Sequence, residues 1–291
     1  MWETFFGLRE RVFTPVADAA LPLLPTQQTA RQELLERLAD GHHIVVLVGE
    51  GGVGKTRLLL DLAHELVPQR TVIWMPPGVP QDVADLYQSL LFDLGLSWSV
   101  PEGSNPTTWA NTWRLRFGEW LLQQAKAQSS VLIIAEDVHR WPELVLQEWR
   151  EIAQFLPNST RLLQIVLSAR PSLLERLASA PLSEWADSIG YCVWLEPLSP
   201  EQARQHLQAI LSRVGASLPQ LLDPRAVELL VRHTRGIPRL LHQAMLRALH
   251  LAYSDESRHL EAPFIVAALA ELGLLETTAD DTSTLTDASA A

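Results

Sequence analysis

Ile44-Val45-Val46-Leu47-Val48 runs directly into Gly49-Glu50-Gly51-Gly52-Val53-Gly54-Lys55-Thr56, and a stretch with helical periodicity follows over 57–66. The first run is short, apolar and rich in branched side chains, which reads as a buried strand; the last reads as an amphipathic helix. Between them stands a full match to G-x-x-x-x-G-K-[ST], in the strand–loop–helix setting that motif requires. Glycines let successive backbone N–H groups turn inward around a phosphate with no side chain in the way. The helix that starts there aims the positive end of its dipole at the same phosphates. Lys55 is placed to reach the β- and γ-phosphates, and the Thr56 hydroxyl to ligate Mg²⁺. Gly49 to Thr56, with Arg57 next in the helix, are therefore the expected nucleotide-binding residues. The chain's only lysines are Lys55 and Lys126. A loop that needs a compact ammonium rather than a planar fork is where a lysine persists in an arginine-using chain.

Outward from this loop, apolar runs at 72–75, 131–134, 163–167 and 192–195 alternate with helix-like segments. Such runs predict parallel strands covered on both faces, and so a three-layer α/β domain. Within 107–128, Trp109, Trp113, Phe117, Trp120 and Leu121 recur at three- and four-residue spacing. That stripe is read as a face packed on the sheet rather than a base-stacking platform. Residues 1–25 form an N-terminal segment that closes on a proline-rich connector and is expected to pack on the core. A helix carrying Leu34, Leu35 and Leu38 comes next.

The strand at 131–134 leads to Ala135-Glu136-Asp137. A P-loop needs carboxylates on a neighbouring strand, one to hold Mg²⁺ and one to orient the attacking water. If four apolar positions precede the pair, Glu136 is the metal carboxylate and Asp137 the water-activating one. If the register begins a residue earlier, Ala135 takes the metal position and only Glu136 remains. The first register is preferred because it keeps both functions. His139 is read as a surface or packing residue. Strand 163–167 ends at Ser168, a polar tip that is the candidate to contact the γ-phosphate or the water.

From Ser199 the strand signals stop. Ser199-Pro200 and Asp223-Pro224 each read as an N-cap followed by a first-turn proline. Helices are expected over 200–214, 226–233, 238–253 and 262–272. The domains are thus residues 26–198, the α/β part, and 199–276, an all-helical part. Residues 277–291 are polar, lack aromatics and are expected to be a disordered tail.

Composition sets the outer bounds. The chain has 291 residues, 47% of them apolar and 20% charged, which excludes disorder as the main state. Net charge is −11, so attraction of the whole surface to nucleic acid or anionic lipid is disfavoured. The one cysteine, Cys192, excludes an internal disulfide or a cysteine-rich zinc site. The start lacks the apolar run of a signal peptide, and no stretch reaches the roughly 18 apolar residues of a spanning helix. A soluble, cytoplasmic protein is expected.

Several segments together resemble a family: the opening FFGLRERVF, the loop GEGGVGKT, the strand LIIAEDVHR, then QIVLSARPSLLERL, LEPLSPEQA and the late GIPR. The chain is similar to AAA+ ATPases of the ExeA-type secretion and TniB/TnsC-type transposition kind. The resemblance implies a P-loop NTPase domain with a C-terminal helical lid, and ATP and Mg²⁺ as cofactors. It implies that Arg239 is the sensor-2 arginine, that Ile237 and Pro238 lie near the adenine, and that Ser168 is sensor 1. The order Glu136-Asp137-Val138-His139 departs from the family's Asp-Glu and also resembles the ED-x-H strand of STAND-type signalling NTPases. The family's trans-acting arginine would fall near Asp187-Ser188-Ile189, where there is none; Arg170 and Arg176 are the substitutes in reach.

Two functions follow. One is an ATP-hydrolysing assembly or regulatory switch that forms a homo-oligomer on binding ATP. The other is a nucleotide-gated module, slow in hydrolysis or without it, that recruits a protein or DNA partner. Net charge disfavours duplex DNA, although a ring of subunits can segregate its arginines onto an inner surface. ExeA-type relatives carry a membrane span and a wall-binding domain after the AAA+ part; neither is expected here.

Overall fold

The computed structural model of the chain describes residues 2–14, 21–75, 77–99, 105–156 and 161–275. They fall into two units. One comprises residues 27–50 and 55–195; the other comprises residues 1–26, the loop 51–54 and residues 196–291.

The first unit is built on five parallel strands: β1 (Ile44–Val48), β2 (Thr71–Met75), β3 (Val131–Ala135), β4 (Leu163–Ala169) and β5 (Tyr191–Trp194). Their order across the sheet is β2-β3-β4-β1-β5. Every residue of β1, β3 and β4 is buried. This is why β1 and β3 read as unbroken apolar runs, since a central strand covered on both faces has no polar side to alternate with; β4 also buries Gln164, whose amide donates to Leu38 O at 2.7 Å and His42 O at 3.1 Å. Val48 pairs with Ala169 and Ala135 with Leu167, so β1 and β4 end together and β3 stops two residues earlier. That register brings the loop after β1 and the carboxylates after β3 to the same edge of the sheet, where ligands bind in open α/β sheets.

The tryptophan-bearing helix is Pro106–Lys126. Trp113, Phe117 and Leu121 are buried in the main core, with Trp109 and Trp120 packed against it. The stripe is a packing face. The strand 163–167 extends two residues further than its pattern suggested, because Ser168 and Ala169 remain in register with Leu47 and Val48.

The second unit is helical: Pro200–Arg213, Leu218–Leu221, Pro224–Thr234, Pro238–Ser254 and Ala262–Glu271. Ser199 and Gln202 form a reciprocal capping box at the start of the first helix. The Ala226 N–H donates to Asp223 Oδ1 at 2.7 Å at the start of the third. Residues 2–13 of the N-terminal segment pack within this unit. Leu8, Val12 and Phe13 are buried among Leu207, Leu211 and Met245. Trp2 lies edge-on to His250, and Phe5 to Tyr253. The physical reason is the apolar surface these helices offer to a segment whose aromatics need cover. The polar tail from 277 onward lies outside the described residues.

Candidate nucleotide-binding site

Lys55 is 7% exposed and begins the helix Lys55–Leu66. Its ammonium donates to the carbonyls of Gly49, at 2.7 Å, and Glu50, at 3.0 Å. It is therefore held over the mouth of the loop by the loop's own backbone. The Gly49 N–H donates to Ala169 O at 3.1 Å, which ties the loop's first residue to the end of β4.

Loop residues 51–54 group with the helical unit, and there the fit is close. Gly52 has φ +99°, and a Cβ at that position would stand 2.8 Å from Arg239 Cβ and 3.1 Å from Ile237 Cγ2. The Arg239 N–H donates to Gly52 O at 3.3 Å. Gly52 is thus required twice, for its backbone conformation and for this approach. Arg239 itself follows Pro238 at the start of its helix, with an exposed side chain.

Glu136 is the first residue past β3 and is 2% exposed. The Thr56 hydroxyl donates to its Oε2, while its Oε1 is buried with no hydrogen-bond partner. Burial pushes Glu136 above the usual carboxylate range, and the neighbouring Asp137 charge adds to this; the Thr56 hydrogen bond and the Lys55 charge oppose it. A buried carboxyl with a spare oxygen beside a hydroxyl is a donor set that fits a hard divalent cation completed by phosphate and water oxygens. Thr56 and Glu136 are the residues that would hold Mg²⁺.

Asp137 adopts the left-handed conformation, with φ 55° and ψ 32°, and so turns the chain sharply into the short turn Val138–Arg140. Its carboxylate is half-exposed, 4.0 Å from His139 Nδ1. The His139 pKa is lowered chiefly by burial. Arg176 fixes this turn: its guanidinium donates to His139 O at 2.6 Å and to Trp141 O at 2.8 Å. Sequence reasoning offered Arg176 as a trans-acting arginine, but it is committed within its own chain. Nothing in the local sequence signals the role it has, which depends on β3 and β4 being neighbours. Arg170, just past β4, is exposed.

Ser168 lies inside β4, 1% exposed, rather than at the tip of the strand. Its hydroxyl has no hydrogen-bond partner. β4 sits between β1 and β3, so Ser168 is between the P-loop strand and the acidic strand.

A five-stranded parallel sheet in this order, with a P-loop after β1, carboxylates after β3 and a helical unit following in sequence, is the fold of an AAA+ P-loop NTPase. Known proteins agree. Residues 37–177 match the model of an AAA domain family. Over 259 residues, 88% of this chain, it is 27% identical to general secretion pathway protein A of Aeromonas hydrophila. The match covers 46% of that protein, so the chain spans about half its length. Among solved structures, Cdc6p of Pyrobaculum aerophilum is similar with TM-score 0.61 and 14% identity, covering 89% of this chain and 68% of that one. The Aeropyrum pernix ORC2 protein, solved as ADPNP–ADP complexes, gives TM-score 0.58 and 14% identity over 90% of this chain and 71% of its own. At such identities the structural likeness shows the fold alone.

Proposed function

We propose that this chain binds ATP with Mg²⁺ at the cluster of Lys55, Thr56 and Glu136, and hydrolyses it as a nucleotide-dependent assembly switch. The observation that carries the reading is the Thr56–Glu136 pair, whose second carboxylate oxygen is buried and unpartnered. The loop amides and Lys55 bind the β- and γ-phosphates. Mg²⁺ supplies charge neutralisation on those phosphates. Asp137, exposed beside the buried Glu136, orients the attacking water and accepts its proton. Ser168 is positioned to contact the γ-phosphate or that water. Ile237 and Pro238 lie near the adenine, and Arg239 answers the nucleotide from the helical unit, where its backbone already meets Gly52. ATP binding then favours a homo-oligomer.

A second reading is a nucleotide-gated module with little turnover that recruits a protein partner. It is favoured by the engagement of Arg176, which leaves Arg170 as the remaining substitute for a trans arginine. Steady-state ATP hydrolysis measured across protein concentrations separates the two. Specific activity that rises with concentration supports the switch; tight ATP binding without turnover at any concentration supports the module.

A further inference from the structure

The edge of the sheet farthest from β5 carries a second cavity, which the nucleotide site does not use. It has a volume of about 620 Å³, within the range of ligand-binding clefts. Its walls include Trp74, Phe92, Trp98 and Trp141, with Asp85 and Asp93 among them, and no lysine, arginine or histidine lines it among the described residues. Phe92 and Trp98 pack at 5.5 Å between ring centroids, yet they stay 66% and 37% exposed. Among the described residues nothing covers these aromatic rings, so they form a wall that a partner's side chains can use.

The carboxylates define what that something is. Asp93 accepts from the Trp74 N–H at 3.1 Å, and Asp85 from the Gln81 N–H at 2.9 Å. Neither is in an ion pair with a described residue. Two uncompensated negative charges beside exposed π-faces favour a cation with an apolar stem. The chain's net charge of −11 steers the same kind of partner towards it. The edge strand does not offer itself for strand addition here, since the outward N–H of Trp74 is already taken. We infer that this cleft docks a basic segment of a partner protein, whose arginine or lysine side chains lie across Trp74, Trp98 and Phe92 and meet Asp85 and Asp93.

The cleft is wired to the acidic turn. The Trp141 indole N–H donates to Gly78 O at 2.8 Å, and the Glu136 N–H donates to Met75 O at 3.3 Å. Trp141, Met75 and Gly78 all line the cleft. The docking itself does not depend on the nucleotide reading.

The test is fluorescence polarisation of the full chain with a labelled hexapeptide that alternates leucine and arginine. Its counterpart with citrulline in place of arginine keeps the shape and loses the charge. The arginine peptide should bind at least tenfold more tightly than the citrulline peptide. Asp85→Asn with Asp93→Asn keeps both hydrogen-bond acceptors and should cost at least tenfold, as should Trp98→Ala tested alone. Glu119→Gln, an exposed charge elsewhere, should change affinity less than twofold. Equal binding of the two peptides would mean a merely apolar groove and overturn the proposal. So would an equal loss in Glu119→Gln, which would mean general attraction to an acidic surface, or no binding by either peptide.

Discussion

Glu136 and Asp137 are neighbours in sequence with opposite surroundings. Glu136 is buried against Thr56 and is pushed above the usual carboxylate range by that burial, whereas Asp137 is turned outward by its left-handed backbone. A buried oxygen without a partner is costly unless something arrives to satisfy it. Glu136→Gln should therefore weaken Mg²⁺-dependent ATP affinity by roughly ten- to a hundredfold, the size of one charge-assisted contact. Asp137→Asn should leave affinity within about threefold and slow turnover by roughly 10²–10⁴, the scale of a lost general base. Titration calorimetry together with single-turnover hydrolysis checks both. Variants that behave the other way round would transfer the metal role to Asp137.

At the scale of elements, the joint between the helices Pro224–Thr234 and Pro238–Ser254 depends on one glycine. Gly236 has φ +68°, and a Cβ there would fall 1.9 Å from Leu198 O, in a segment where the Leu198 N–H also donates to Gly236 O at 2.9 Å. Gly236→Ala should cost at least the ~1–2 kcal/mol of a left-handed alanine, with the backbone collision added. Gly7→Ala has φ +71° and open space around it, so it carries the conformational cost alone. Denaturant unfolding of the two variants should rank Gly236→Ala as the less stable; equal losses would mean that the joint relaxes freely. Strands β1 and β3 were legible from sequence because burial on both faces writes itself as an unbroken apolar run. Ser168 was misplaced for the same reason: a hydroxyl looks like the end of a run even where it stays inside the sheet. The docking of residues 2–13 on the helical unit was not legible, since an aromatic pattern states that a face needs cover but not which surface supplies it. The hold of Arg176 on the acidic turn was illegible in the same way, because it joins residues brought together only by strand order.

For the whole molecule, the question is how nucleotide reaches the helical unit. Gly52 and Arg239 already share a backbone hydrogen bond, and the Arg239 side chain is exposed. If its guanidinium meets the nucleotide in one state only, a contact of about 1.5–3 kcal/mol shifts that state's population roughly ten- to a hundredfold. Arg239→Ala should leave the fold intact and reduce any assembly induced by a non-hydrolysable ATP analogue, read by light scattering. Identical nucleotide-dependent assembly in variant and wild type would uncouple Arg239 from the site. All of this stands on triphosphate binding at the loop, where the Lys55 ammonium is held by Gly49 O and Glu50 O. The direct measurement is equilibrium binding of ATP, with and without Mg²⁺, to the wild-type chain and to Lys55→Ala. The account predicts saturable, Mg²⁺-strengthened binding to the wild type and none detectable in the variant. Unchanged ATP affinity in Lys55→Ala would contradict it.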